Sequence, residues 1–537
     1  MNNDNDSGKR VIIAVIISIV ILFAYPYFLK WISPPKPPAA SSGEKPQAQV
    51  PAQANASVSV NTVHSKGAPV KSPVQVKEVF STVETPLWKA VFTNKGGAVR
   101  SWELKKFAST LEPGAVPINL SASVMTIGSM DTSVRQADIS EDIVFDPSSS
   151  EITLAGAETK ELVFTGTTAA GLRVEKRYRF DAGAYLANVQ LTFENPTKKE
   201  IVATAVTTLN ADKAGKDATG YHSGPLAYAK DKVLRANEKD PDESGIGAPK
   251  WLGMEDKYFL AAIIPAPDTT ANWKTHVATD ARAVTAFELP ISVAPGTVAT
   301  VNYGIFMGPK EYDLLLSKKN GLEGAIEFGM FAFLAKPSLV VLNFFKRYLV
   351  NYGLAIVLFT VILKVVFYPL TKHSLTSMRD MQKIQPQLAY LKEKHKDNKE
   401  RLNKEMMELY KRYKINPVGG CLPMVLQIPV FIALYEVLYV AIELRHAPLG
   451  LWIHDLSSKD PYYITPLVMG ATMFIQQKMT PTTADPTQAK IMMFMPIVFT
   501  FMFLKFPAGL VIYWLINNLL SIAQQYWIQR TPSKVLS

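Results

Sequence analysis

One ammonium inside an apolar run is the first feature of this sequence that could do chemistry. Lys364 stands within Leu354–Tyr368 among Val, Ile, Leu and Phe. It lies about six residues, roughly 9 Å, before the expected cytoplasmic end of its span at Leu370. A lysine at the centre of a membrane helix costs about 2.5–3.5 kcal/mol on insertion scales. Two placements relieve the cost: the stem snorkels to the nearer interface, or the head group faces a wet cavity between helices. Thr360, one turn earlier, shares a helix face with Lys364 and favours the cavity. Gln427 lies within another apolar segment, with Phe431 and Tyr435 following at helical spacing. The last apolar segment carries Tyr513-Trp514 and then Asn517, Asn518, Ser521, Gln524 and Gln525. Such amides and hydroxyls either bond helix to helix or line a polar groove. The candidate substrate-groove residues are Lys364, Thr360, Gln427, Tyr513, Trp514, Asn517 and Ser521. The chemistry expected of them is electrostatic attraction of acidic groups. Glu436 and Glu443 lie towards the outer end of their segment, so an ion pair between Lys364 and Glu436 is not expected.

Covalent chemistry is not expected. No P-loop, HExxH, GxSxG or dinucleotide-binding glycine pattern occurs. The seven histidines show no metal-ligand spacing, and His454-Asp455 reads as a loop pair. A single cysteine, Cys421, rules out an internal disulfide framework or a cysteine-based zinc cluster. No cofactor, no metal and no enzymatic activity are expected.

The elements that must position these residues follow from 537 residues with mean hydropathy +0.08 and net charge +11. That hydropathy is an average over unlike parts. Lys9-Arg10 followed by uncharged Val11–Leu29 predicts an uncleaved transmembrane anchor at 1–30, since about 19 residues span roughly 28 Å. Residues 31–74, rich in Pro, Ala, Ser, Gln and Val, read as a disordered linker. Over 75–315, alternation such as Val189, Leu191, Phe193 and Phe287, Leu289, Ile291, Val293 predicts an antiparallel β-sandwich domain with one wet face. Residues 320–347 read as an amphipathic helix lying at the interface. Residues 350–530 hold five apolar segments: Tyr352–Leu370, Val418–Ile442, Tyr462–Ile475, Ile491–Leu504 and Pro507–Ile528. With the anchor they give six transmembrane helices. Two are only about 14 residues, or about 21 Å, which calls for extension or a thin bilayer.

Within 350–530, two stripes at helical spacing (Met381, Ile384, Leu388, Leu391 and Leu402, Met406, Leu409, Tyr413) predict a helical hairpin at 375–415. It is rich in Lys and Arg, whereas Glu443–Pro461 holds only Arg445 and Lys459. The positive-inside rule places hairpin, both termini and the 531–537 tail in the cytoplasm, and the β domain outside. Lys383, Lys392, Lys394, Arg401, Lys411 and Arg412 are the candidate recruitment residues of the hairpin.

The sequence resembles the YidC family, bacterial membrane protein insertases related to those of mitochondria and chloroplasts. The resemblance rests on Tyr368-Pro369-Leu370-Thr371-Lys372, Asn416-Pro417-Val418-Gly419-Gly420-Cys421-Leu422-Pro423, Leu451-Trp452-Ile453-His454-Asp455-Leu456, Asp460-Pro461-Tyr462-Tyr463, Gln477-Lys478-Met479-Thr480-Pro481 and Phe506-Pro507-Ala508-Gly509-Leu510. Anchor and β domain resemble the Gram-negative form. The resemblance implies a Gram-negative inner-membrane insertase and chaperone with a large periplasmic domain. Nascent membrane proteins would be its substrates, and the Sec translocon, the ribosome and the lipid bilayer its partners, with no DNA. It also implies a groove open to cytoplasm and lipid, in which Thr360 and Gln427 fall on groove positions. Lys364 stands where the family has arginine, so charge is kept and the bidentate fork lost. Trp514 stands where the family often has tyrosine. Two other classes remain open from the residues: a secondary solute transporter, and an envelope carbohydrate-binding protein, because the β domain resembles the sugar-mutarotase sandwiches. A transporter would show inverted repeats, which the segments lack. The β domain shows no paired carboxylates for sugar chemistry.

Overall fold

The computed structural model describes residues 77–530 apart from 121–130, 137–138, 142, 212–214, 217–220, 238–240, 248, 268, 270, 279–281, 396–397, 414, 416–421 and 480–485. The expected anchor, linker and tail lie outside the described residues, as do Asn416 to Cys421 and Thr480-Pro481 of the motifs above.

The β-rich region is built on the alternation seen in the sequence. In strand Leu186–Glu194, Ala187, Val189, Leu191 and Phe193 are buried and the intervening residues are not. Among the described residues the strands form three sheets, of five, ten and six strands, not the two of a simple sandwich. The extra sheet (Pro117–Asn119, Ala98–Ala108, Trp88–Thr93, Phe80–Glu84, Glu151–Thr153) exists because its strands carry their own aromatic face. Trp88 stacks on Trp102 at 4.1 Å and meets Phe180 of the ten-stranded sheet at 5.5 Å, while Phe92 lies 4.9 Å from Tyr178. Such ring pairs add about 0.5–1.5 kcal/mol each beyond burial. One pairing departs from the antiparallel expectation: Phe80–Glu84 runs parallel to Glu151–Thr153.

A carboxylate is buried where the ten-stranded sheet meets the helical region. Glu255 takes Lys310 Nζ on Oε2 at 2.9 Å and Arg235 Nε on Oε1 at 2.7 Å. Lys310 also donates to the Tyr221 hydroxyl at 3.0 Å, and Arg235 donates to the Ala325 carbonyl at 3.1 Å. Burial alone would push the Glu255 carboxyl up, but the two cations overcome it and hold it below the ordinary range.

The helices are α1 (Tyr312–Ser317), α2 (Ala332–Leu349), α3 (Tyr352–Val366), α4 (Tyr368–Lys383), α5 (Gln385–Lys394), α6 (Lys399–Arg412), α7 (Leu422–Val440), α8 (Ile464–Met479), α9 (Pro486–Phe503) and α10 (Ala508–Arg530). Three expected continuous helices are interrupted. The stretch at 320–347 holds a single 3₁₀ turn, Leu322–Ala325, and becomes α-helical only at Ala332; Gly329, at φ 63°, turns the chain between them. The segment read as Tyr352–Leu370 ends at Val366, and α3 meets α4 at 63°. Pro369 opens α4: it offers no N–H to continue the α3 ladder, and its ring disfavours a helical residue before it. Pro386 does the same at the start of α5, so the first arm of the hairpin is two helices, α4 and α5, jointed at Ile384. The second turn, at His395, is closed by Asn398, whose side chain accepts from Arg401 N at 2.9 Å. Met381, Ile384, Leu388, Leu409 and Ile415 form the small core of this hairpin.

By length and composition, no single helix among the described residues is long and apolar enough to cross a bilayer, and the bent pair α3–α4 passes that test together. The β-rich region is seated on the helices by specific bonds. Tyr312 N donates to Glu443 Oε1 at 3.2 Å, Arg445 Nη2 donates to the Ala108 carbonyl at 2.7 Å, and Lys257 Nζ lies 3.8 Å from the centre of the Tyr439 ring.

Removing the shared acid leaves the Lys310 and Arg235 cations without their counter-charge. Glu255→Gln is expected to lower unfolding stability by roughly 3–5 kcal/mol, read by chemical denaturation at neutral pH. A loss below about 1 kcal/mol would show that the cluster does not hold the sheet. In the parent protein the contribution is present above the ordinary glutamate range. It is lost as pH falls below about 4 and Glu255 takes up its proton.

Candidate functional site

The cleft that holds Lys364 is made by one face of each of four helices. Thr360, Leu363, Lys364 and Phe367 follow each other at three- and four-residue steps along α3 and its end. Gln427 and Val430 come from α7, Tyr513 and Asn517 from α10, and Leu370 and Thr371 from α4, which reaches the cleft only because of the 63° bend. The cleft has a volume of about 30 Å³, room for a few waters.

The bend changes the position of the lysine. With the helix ending at Val366, Lys364 lies in the last turn of α3, nearer its end than the six residues expected. A cation there faces the free carbonyl ends of the helix, which favour it by about 0.3–1 kcal/mol. Its Nζ donates to Ser521 Oγ at 2.7 Å, and Ser521 Oγ in turn donates to the Asn517 carbonyl at 2.7 Å. Across the cleft, Gln427 Nε2 donates to Asn517 Oδ1 at 2.8 Å. Among the described residues no carboxylate pairs with Lys364. Glu436 sits instead beside Gly329, where a Cβ would meet its Oε1 at 3.0 Å.

Six of the seven expected groove residues are thus brought together. Thr360, 1% exposed, lines the cleft and donates its hydroxyl to the Ile356 carbonyl at 2.7 Å. Ser521 touches the ammonium directly, one helical turn past Asn517. Trp514 is not among the lining residues. One residue along α10 from Tyr513 is a rotation of about 100°, so both cannot face the same way. Its indole packs against Phe431 at 4.6 Å, Phe503 at 5.3 Å and Phe499 at 6.1 Å. Asn518 and Gln525 are used between helices, donating to Thr472 Oγ1 at 3.4 Å and to the Met479 carbonyl at 2.7 Å. Leu363, Phe367, Leu370, Thr371 and Val430 also line the cleft, beyond the groove residues that the sequence singles out. The i, i+3, i+7 step from Thr360 identifies the first two, but nothing local identifies those of α4.

The far end of the same helices is closed by bonded loop. Asn351 caps α3 by accepting from Leu354 N at 3.0 Å and donates to the Leu449 carbonyl at 3.0 Å. Gly353 is required there, since a Cβ would come within 2.3 Å of Leu449 Cδ1. Ala508 N and Gly509 N at the start of α10 donate to the Ser458 and Leu456 carbonyls at 2.7 and 2.9 Å. Asp455 accepts from His446 N and Ser457 N at 3.0 and 2.9 Å, which makes His454-Asp455 part of a loop cap. Asp460 caps α8 through Thr465 N at 2.7 Å. In the hairpin, Lys383, Lys392, Lys394, Arg401, Lys411 and Arg412 are all exposed.

The YidC periplasmic domain family matches residues 81–341, and the family described as 60Kd inner membrane protein matches residues 344–534. The membrane protein insertase YidC of Syntrophus aciditrophicus is 41% identical, over 97% of this chain and 99% of that protein. That of Geobacter sulfurreducens is 42% identical, over 98% and 99%. The chain belongs to the YidC family of membrane protein insertases. Among solved structures, an active YidC insertase with its first transmembrane domain resolved aligns with 84% of this chain and 95% of its own, at 19% identity and TM-score 0.37. A galactose mutarotase-like protein from Lactobacillus casei aligns with 43% of this chain and all of its own, at 10% identity and TM-score 0.30.

In this YidC-family chain the environment of Trp514 is one of packing, and its Nε1 has no hydrogen-bond partner. Trp514→Ala is therefore expected to cost about 3–5 kcal/mol of stability, while Trp514→Phe, which loses no bond, stays within about 1.5 kcal/mol. Thermal or denaturant unfolding in detergent checks both. Equal losses for the two variants would place a polar role on the indole.

Proposed function

We propose that this chain integrates nascent membrane proteins into the bacterial inner membrane by passing their polar flanks along the Lys364 cleft, without nucleotide hydrolysis. Burying a substrate's apolar segment is favourable by itself, at about 25 cal/mol per Å². The obstacle is its polar tail, which must leave water to cross hydrocarbon. An ammonium in a wet cleft shortens the dry path. At 4 Å, opposite charges attract by about 4 kcal/mol at an effective dielectric near 20, against about 1 kcal/mol in water. The observation that carries this reading is the Lys364 head group, bonded to a hydroxyl in a partly open cleft with no carboxylate beside it among the described residues. An acidic group on a passing tail supplies the missing partner. The substrate then slides out laterally between α3 and α9 into lipid.

The arrangement in the bilayer belongs to the same proposal. Six spans, counting the N-terminal anchor and α3, α7, α8, α9 and α10, put both termini and the basic hairpin in the cytoplasm and the β-rich region in the periplasm. The positive-inside rule supports that orientation. With 15 and 16 residues, α3 and α8 span roughly 22–24 Å, short of a core of about 30 Å, and favour local thinning beside the cleft. The exposed basic residues of α4–α6 suit recruitment of the ribosome and its nascent chain, and insertion proceeds alone or with the Sec translocon.

Charge reversal tests the electrostatic core of the proposal. In proteoliposomes, Lys364→Glu is expected to abolish insertion of a small substrate whose translocated tail carries acidic residues. Undiminished insertion would reject the role of the lysine.

A further inference from the structure

Lysine in place of a forked guanidinium raises a physical problem in this cleft. A four-carbon stem ending in a compact, strongly hydrated charge snorkels wherever water is within reach. Lys364 is well placed to do so, since it stands in the last turn of α3, two residues before the helix ends. Phe367, Leu370 and Thr371 line the cleft beyond it on the α4 side, and the one side-chain hydroxyl among them, that of Thr371, is engaged as a donor to the Phe367 carbonyl at 3.0 Å. The ammonium nevertheless points inward to α10, where Ser521 Oγ receives it at 2.7 Å. That hydroxyl is itself oriented. Its proton goes to the Asn517 carbonyl at 2.7 Å, so its lone pairs face the lysine. Asn517 is in turn held by Gln427 of α7 at 2.8 Å, which ties the acceptor to the far wall of the cleft.

We propose that Ser521 is a positioning residue that latches the Lys364 ammonium inside the cleft against snorkelling, and so sets the depth at which an acidic tail meets it. The inference rests on the electrostatic reading given above and names the group that makes a lysine sufficient for it. Ser521 accepts one of three N–H donors. The remaining two face the cleft and can take a carboxylate without breaking the latch, so the head group stays at depth while a tail binds and leaves. Thr at position 521 can supply the same hydroxyl with the same bond to the carbonyl four residues back; Ala cannot.

The test has two arms on the full-length protein in proteoliposomes. In the first, a membrane-impermeant amine reagent is added on the cytoplasmic side and modification of Lys364 is followed by peptide mapping. A charge-assisted hydrogen bond is worth a factor of about ten or more, so Ser521→Ala is expected to raise the Lys364 modification rate roughly tenfold, and Ser521→Thr to return it to the parent rate. In the second, insertion is compared for two substrates that differ only in acidic or neutral tail residues. The acidic-to-neutral ratio is expected to fall roughly tenfold in Ser521→Ala and to recover in Ser521→Thr. A generally destabilised α10 would lower both substrates together and leave the ratio unmoved, which counts against the latch. An unchanged modification rate in Ser521→Ala overturns the latch even where Lys364→Glu still blocks acidic tails. Insertion undiminished in Lys364→Glu overturns instead the reading beneath it.

Discussion

An ammonium among apolar helices needs polar company, and the helical region is organised by how that need is met. Lys364 receives one oriented hydroxyl from α10, the carbonyl end of its own helix, and a cleft large enough for a few waters. Each is a neutral or partial charge. A carboxylate partner would have neutralised the cleft, and burying a full ion pair often gains little over apolar packing. Hydroxyl and amide partners leave the positive charge available. The Gln427–Asn517 bond matters for the same reason, because it fixes the opposite wall without introducing a charge of its own.

Proline shapes the space around that charge. Pro369 ends α3 early and turns α4 through 63°, which carries Leu370 and Thr371 round to the cleft and leaves Lys364 at a helix terminus. Pro386 repeats the device one helix later and joints the hairpin at Ile384. The cost of a missing backbone bond is modest where the chain leaves the apolar region and water or neighbouring groups can meet the freed carbonyls. At the other end of the same helices Asn351 caps α3, Asp460 accepts from the first turn of α8, and Asp455 closes the loop between them. One end of the bundle is thus jointed and partly open, and the other is stapled.

The β-rich region matches the YidC periplasmic domain family, is seated on the stapled end, and shares one continuous core with the helices. Its aromatic sheet contacts and the buried Glu255–Lys310–Arg235 cluster lie away from the cleft. The likeness to a mutarotase-like protein, at 10% identity, carries no functional argument.

Much of this was legible in the amino-acid order, because periodicity is a local property. Alternation over Leu186–Glu194 and Ala283–Val293 required strands with one buried face. A lone lysine followed at helical distance by no acid required a wet or interfacial head group. The step from Thr360 to Lys364 and from Tyr513 through Asn517 to Ser521 put each set on one face. What local pattern left undecided was which faces meet. Trp514 lies one residue, and about 100°, from Tyr513, so only packing against Phe431, Phe499 and Phe503 shows that it turns away from the cleft. Ser521 and Lys364 are 157 residues apart, and their bond exists only because α3 and α10 lie side by side. The third sheet and the bends at Phe367 and Ile384 likewise depend on strand partners and on the angle a proline takes when neighbours press on it. Spacing along a chain determines what shares a face; the choice between faces is made by the neighbours that cover them.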